Sequence, residues 1–325
     1  METDLLGEPY ERHTIDLGTD DEGPVTATLV RRRADEPDGR AALYVHGFSD
    51  YFFQTHLADF YTSRGIDFYA LDLRKYGRSL HPHQTPNFCR DMSDYYPELD
   101  EAVRIIREAD GHDRLLVSGH STGCLATALW AHDRRDAGVV DAMFFNSPFF
   151  DMNVPRRIQL VMRPIAMRKG RTQPYYKMPT GLNEVYGSSI HRDRHGEWDY
   201  NLEWKPLPGF PVHAGWLRAI LLGQKRLHAG LDIPAPIIVG ASTASYKRAR
   251  WGEEARAADS VLDVDHMAKW MPALGRRTTL VRIEGGLHDL ALSAEPSRKQ
   301  LFDELGRWMD AYFARAADEV AAPAS

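Results

Sequence analysis

Residues 114–124 read Arg-Leu-Leu-Val-Ser-Gly-His-Ser-Thr-Gly-Cys. A short apolar run, Leu115-Leu116-Val117, stops at Gly119-His120-Ser121-Thr122-Gly123. A helix-favouring run, Leu125-Ala126-Thr127-Ala128-Leu129-Trp130, follows at once. Gly-x-Ser-x-Gly alone is a weak pattern; between a strand and a helix it reads as a sharp turn that lifts a serine hydroxyl into the open. The turn forces Ser121 into a strained backbone, and side chains two residues to either side would clash, which accounts for the glycines. The helix that follows aims its N-terminus, with its unpaired N–H groups, at the same point.

Outward from this turn the chain alternates strands and helices. Ala41–Val45, Phe68–Leu73 and Ala142–Phe145 read as short buried strands, and helices are expected over 54–63 and from a Ser93 cap to about Ala109. Before them, 12–17 and 25–33 alternate apolar and polar residues, as half-exposed strands do, around the turn Asp20-Asp21-Glu22-Gly23-Pro24. From Pro148 to about Gly230 strand signals vanish, while Pro, Met and aromatic residues recur, with short helices expected near 158–168 and 213–222. Sheet signals return at 235–242 and 278–283, and a helix is expected from Asp263 to Leu274. A last helix should run from about Pro296 to Ala317, with a frayed tail over 319–325. The pattern predicts an α/β fold: a mostly parallel, eight-stranded sheet flanked by helices, its core formed by 1–148 and 231–325, and a helical cap inserted at 149–230.

A serine hydroxyl is a poor nucleophile near neutral pH and needs a base held by an acid. His288, behind Gly285-Gly286 at the end of the last strand signal, fits the base. The acid should lie in the loop after the strand ending near Val239, where Asp259, Asp263 and Asp265 are candidates. Asp259 precedes an apolar pair that can anchor it, whereas Asp263 reads better as a helix N-cap. An oxyanion hole is expected from the backbone N–H groups of Thr122 and Phe48. His46 reads as a structural histidine bonding its own loop, and Cys124 as a small buried apolar residue. His120, Phe149, Tyr175 and Tyr176 are the candidates for substrate contact.

The 325 residues carry a formal net charge of −6, which argues against a nucleic-acid partner. Two cysteines, Cys89 and Cys124, make no disulfide framework and no metal spacing. The N-terminal stretch has no basic start and no long apolar run, so neither a signal peptide nor membrane insertion is expected and the cytoplasm is the expected compartment. The basic run 163–171 reads as a solvated face.

Together these pieces resemble the α/β-hydrolase superfamily, and within it the serine aminopeptidase / monoglyceride lipase (lysophospholipase-like) family. The resemblance rests on His46-Gly47-Phe48, Asp72-Leu73-Arg74-Lys75-Tyr76-Gly77-Arg78-Ser79, Gly119-His120-Ser121-Thr122-Gly123 and Gly285-Gly286-Leu287-His288. In the second, Lys75 stands where the family has a glycine. The family's acid usually follows closely after the strand; here Asp259 comes only after Ser245 to Ala258, which reads as an insertion. The resemblance implies hydrolysis of acyl-glycerol or other esters through an acyl-enzyme, with Ser121, an Asp and His288 as the triad and no metal or organic cofactor. Removal of an N-terminal residue from a peptide is the alternative, and would need a cap acid such as Glu184, Glu197 or Glu203 to hold the ammonium. A non-catalytic binding protein is the third reading.

Overall fold

The computed structural model describes residues 1–314. Among them, nine strands form one sheet: β1 (Glu2–Thr3), β2 (Glu11–Asp20), β3 (Gly23–Arg32), β4 (Arg40–Val45), β5 (Asp67–Asp72), β6 (Arg114–His120), β7 (Ala142–Asn146), β8 (Ile237–Ser242) and β9 (Thr278–Ile283). Their order is β1-β2-β3-β5-β4-β6-β7-β8-β9, antiparallel as far as β5 and parallel from there. The count exceeds the expected eight because Glu2 and Thr3 pair with Arg12 and Glu11 at the edge, a contact too short to leave a periodic signal.

The alternation of strand side chains divides the core in two. On β4, Ala41, Leu43 and Val45 face one apolar layer, while Ala42 and Tyr44 face the other. The first layer is closed by α2 (Tyr96–Arg104), α3 (Thr122–Asp133) and α6 (Ala214–His228). The second is closed by α1 (Thr55–Thr62) and α8 (Glu295–Tyr312). α3 is apolar on all sides and is buried continuously from Thr122 to Ala131, as a helix wedged between sheet and helices must be. The end expected at Ala317 and the tail over 319–325 lie outside the described residues.

Two local readings need correction, and one substitution needs explaining. The cap of the helix at 92–109 is Asp91, not Ser93: Asp91 accepts from the Ser93 N–H at 3.0 Å and forms a capping box with Asp94. That stretch opens with a 3₁₀ turn and closes with a π turn at Ile105–Ala109. Between β7 and β8, α4 (Arg156–Thr172) runs through Pro164, and a further helix, α5 (Glu184–Ile190), was not anticipated. Lys75 takes a left-handed backbone (φ 65°), a conformation that favours glycine. That conformation costs a side-chain-bearing residue about 1–2 kcal/mol. The buried ammonium offsets it through ion pairs of 2.6 Å with both Asp20 and Glu22 in the β2–β3 turn.

Segment 149–230 divides its packing: α6 joins the first apolar layer, while Thr180 to Leu182, Tyr186, Lys205 and Val212 line the cavity that holds Ser121. The segment's second half is fastened by partly buried polar contacts: Asn201 N–H donates to Tyr51 Oη (2.8 Å), Phe210 N–H to Ser49 Oγ (3.1 Å) and Trp198 Nε1 to the Leu292 carbonyl (2.8 Å). Its first half contains α4, which lies on α6 with Gly170 against the Ala214 carbonyl and leaves Leu160 and Val161 exposed.

Candidate active site

Ser121 sits between β6 and α3 with φ 52° and ψ −113°, outside the regions an L-residue favours. Close packing holds it there. A Cβ on Gly123 would lie 2.4 Å from the His46 carbonyl oxygen and 2.5 Å from that of Val45, and one on Gly119 would lie 2.7 Å from the Cys124 nitrogen. The turn is further pinned by the Ser121 N–H donating to the Asn146 carbonyl at 3.0 Å. Cys124 is wholly buried, its thiol directed at the Gly119 carbonyl, and burial pushes its pKa well up. It serves as packing.

The β4–α1 loop passes close over this turn. Gly47 is within a methyl's width of the Ser121 Cβ, so the loop lays Phe48 beside the hydroxyl. His46 holds the loop: its Nε2 accepts from the Leu73 N–H (3.1 Å), leaving Nδ1–H to donate to the Gly47 carbonyl (2.8 Å). Burial lowers its pKa, in keeping with a neutral ring. Among the described residues, neither the Phe48 nor the Thr122 backbone N–H has a hydrogen-bond partner.

His288 follows β9 and lines the same cavity as Ser121. Its Nδ1 lies 2.9 Å from Asp259 Oδ2, with both side chains buried. The other carboxylate oxygen, Oδ1, accepts from the backbone N–H groups of Val261 (2.8 Å) and Leu262 (2.7 Å). The chain reaches this point by a closed detour. Ser245 bridges Asp259, the Asp259 N–H donates to the Ala244 carbonyl, and the Tyr246 N–H donates to that of Asp259. Asp263 lies elsewhere, capping α7 (Val264–Trp270) and paired with Lys247 at 2.7 Å. Asp265 sits in the first turn of α7, beside Arg282.

Beside the serine, reaching the same cavity through His120 and Lys205, is a buried charged chain that the motifs did not reveal. Lys205, from segment 149–230, reaches Asp50 Oδ1 at 2.7 Å, and Asp50 Oδ2 meets His120 Nδ1 at 3.1 Å. Burial alone would raise the Asp50 carboxyl, but the Lys205 and His120 charges hold it well below the usual range. Burial likewise disfavours charge on His120, yet the Asp289 and Asp50 carboxylates outweigh it and its pKa is raised. Asp50, His120 and Asp289 bring three potential metal-ligand atoms within 4.8 Å of one another. The Lys205 ammonium already supplies the cation there, and Gln54 and Asn146 amides donate to Asp289, so the cluster fits an ion-pair network rather than a metal centre.

The cavity above Ser121 holds about 150 Å³ and is mostly apolar, walled by Phe48, Phe149, Met152, Val212, Trp216 and Leu217. The Phe48 and Trp216 rings meet at 4.3 Å, tilted by 43°. Of the residues expected to contact substrate, Phe149 and His120 line it; Tyr175 and Tyr176 do not. Tyr175 is half-buried and spent elsewhere, stacking on Phe88 at 4.2 Å and donating to Asp21 at 2.7 Å. Tyr176 is 42% exposed, with the Lys169 ammonium over its ring. Tyr186 and Lys205 line the wall instead. Glu184, Glu197 and Glu203 are exposed and lie outside the cavity lining.

Comparison with known proteins agrees with this architecture. The chain is similar in fold to a monoglyceride lipase from Saccharomyces cerevisiae, solved as a soluble variant with a substrate analogue (TM-score 0.67, 15% identity, 91% of this chain and 94% of that one). It is similar to the monoacylglycerol lipase of Paleococcus ferrophilus (TM-score 0.66, 17% identity, 87% and 99%). A third likeness is Est1E from Butyrivibrio proteoclasticus, solved with ferulic acid (TM-score 0.58, 13% identity, 92% and 99%). No curated protein sequence matches significantly. The sequence profile of the serine aminopeptidase family, S33, matches residues 36–245, about two thirds of the chain. The protein therefore has an α/β-hydrolase fold and belongs to the S33 serine aminopeptidase family of hydrolases.

Proposed function

We propose that this protein is a serine esterase that cleaves carboxylic esters with an apolar acyl chain, with segment 149–230 capping the site. The carrying observation is the cavity itself. It offers an apolar wall to an acyl chain, and its one charged lining residue among those described, apart from the histidines, is the cation Lys205. That cation is already paired with Asp50, and a peptide N-terminus would find no free carboxylate lining the cavity and none of the three cap glutamates there, so the ester reading is favoured over aminopeptidase action. The lipase and esterase neighbours share this fold and lend the reading further support.

In the proposed mechanism Ser121 Oγ attacks the ester carbonyl while His288 Nε2 takes its proton. Asp259 keeps the ring proton on Nδ1 and balances the imidazolium charge. The oxyanion is received by the Phe48 and Thr122 N–H groups, aided by the N-terminus of α3. The protonated His288 then delivers its proton to the departing alkoxide, and water, activated by the same ring, releases the acid.

Purified protein should hydrolyse p-nitrophenyl esters faster than aminoacyl anilides and should take up a fluorophosphonate label. Ser121→Ala should lose both labelling and turnover while melting as wild type. Faster anilide cleavage, or labelling that survives in Ser121→Ala, would overturn the proposal. A chain-length series of the same esters would define the acyl preference.

A further inference from the structure

A second, larger groove adjoins the Ser121 cavity. It holds about 1000 Å³ and shares Asn153, Gly181, Leu182, Tyr186 and Val261 with it, so the two are neighbouring compartments with a common wall. Their chemistry differs. Where the cavity is apolar, the groove carries four cations, Arg163, Lys247, Arg248 and Lys269, against two carboxylates, Asp151 and Asp263. This excess is set in a chain whose net charge is −6.

Two of the cations are already matched. Lys247 pairs with Asp263 at 2.7 Å, and Arg248 with Glu254 at 3.3 Å. Arg163 and Lys269 have no carboxylate within 4 Å among the described residues. Both line the groove together with His228. His228 stacks on Trp270 at 3.5 Å and its Nε2 lies 2.7 Å from the Phe150 carbonyl. Burial lowers its pKa, opposed by the Phe150 carbonyl and Asp151 and aided by Lys269 and Arg163. The nearby Asp151 carboxylate is taken up by Trp270 Nε1 (2.9 Å) and the Met152 N–H (2.8 Å). An arginine and a lysine without a carboxylate partner, the lysine 4.6 Å over the Trp270 ring, in a groove next to an acyl site, make a receptor for anionic oxygens.

We propose that this groove is an anion subsite, and that the preferred ester carries a phosphate or carboxylate on its alcohol half, held between Arg163 and Lys269 while the acyl chain lies over Ser121. This rests on the esterase reading for the chemistry, but the binding can be measured without it. The positive rim also draws such substrates in by long-range attraction, which salt weakens.

The test uses octanoylglycerol, octanoylglycerol 3-phosphate and 3-(octanoyloxy)propionate with wild type and the Arg163→Gln/Lys269→Gln variant. In wild type the anionic esters should have the higher kcat/KM. Their advantage over the neutral ester should fall roughly fivefold in the variant, as expected for two exposed ion pairs, and should shrink likewise in 0.5 M NaCl. The better of the two anionic substrates identifies the group recognised. A wild-type preference for the neutral ester, or an anionic-to-neutral ratio unmoved by the variant, overturns the proposal. Binding of octyl phosphate to Ser121→Ala protein, by calorimetry, reads the subsite apart from catalysis. Weakening by the double substitution supports the subsite even if no ester is turned over, and unchanged or undetectable binding sinks it.

Discussion

Replacing Asp259 with Asn separates a positioned acid from a merely buried one. The two carboxylate oxygens have different neighbours: Oδ1 accepts from the Val261 and Leu262 N–H groups, and Oδ2 faces His288 Nδ1 at 2.9 Å. Asn has one oxygen and one NH₂. Turning the NH₂ toward two backbone N–H groups would oppose donors to donors, so the oxygen must stay on that side. The NH₂ then faces His288 and donates to Nδ1, which moves the ring proton to Nε2, where it cannot accept from Ser121. A wrong tautomer of this kind costs about ten-thousand-fold in kcat, or roughly 5 kcal/mol of transition-state stabilisation. The two backbone contacts survive, so stability should change by only about 1 kcal/mol. Asp263→Asn is the control. Asn caps helices as well as Asp does, and the pair lost with Lys247 is largely exposed, so kcat should stay within about threefold. The assay is p-nitrophenyl ester turnover beside thermal melts of both variants. Asp259→Asn within tenfold of wild type, or an equal loss in Asp263→Asn, would refute the reasoning.

The remaining predictions concern how the site is held. Lys205→Met strands the Asp50 carboxylate in the interior and should cost about 3–5 kcal/mol in urea unfolding, part of it regained in Asp50→Asn/Lys205→Met; additive losses would show that the pair is not coupled. Because the folded Asp50 pKa is depressed, its stabilisation is present above the unfolded carboxyl value near ~3.9 and is lost as pH falls through the folded value. Lys205→Met should therefore shift acid unfolding to higher pH, as melting temperatures between about pH 3 and 7 would register. Gly123→Ala must push α3 off the β4 carbonyls and should destabilise by about 3 kcal/mol with loss of activity; a stable, active variant would show that the turn is looser than drawn.

Much of the fold was legible because its signals are local. Apolar runs, each too short for a helix, marked the parallel strands, and the glycines around Ser121 and before His288 marked turns that only they can make. What escaped depended on distant partners. α5 contains Gly187, Ser188 and Ser189 and is stabilised by burial rather than propensity. Lys205 lies in a Trp-Lys-Pro stretch with no motif, and its meaning appears only when Asp50 arrives from 155 residues away in sequence. The aromatic pair Tyr175-Tyr176 suggested a lid wall, but those rings found partners in Phe88 and Lys169 first. The spacing that puts Asp259 beside His288 could not be counted from β8, because the bridge between Ser245 and Asp259 cancels the residues between them.

That bridge also bears on how such a chain can change over time. A loop whose ends are stitched together is open to length variation: residues can be gained or lost at its tip without moving its neck. Here the tip is exposed over 247–250, while Trp251 seats the far limb against Ser189 and His195. Homologous chains can therefore differ freely in length at this address and still present the same carboxylate, and an alignment that forbids gaps there will pair the wrong aspartates. For the protein engineer the same tip is an exposed insertion point, but Lys247, Arg248 and Ala249 also line the groove beside the Ser121 cavity, so a graft there would bear on that groove as well.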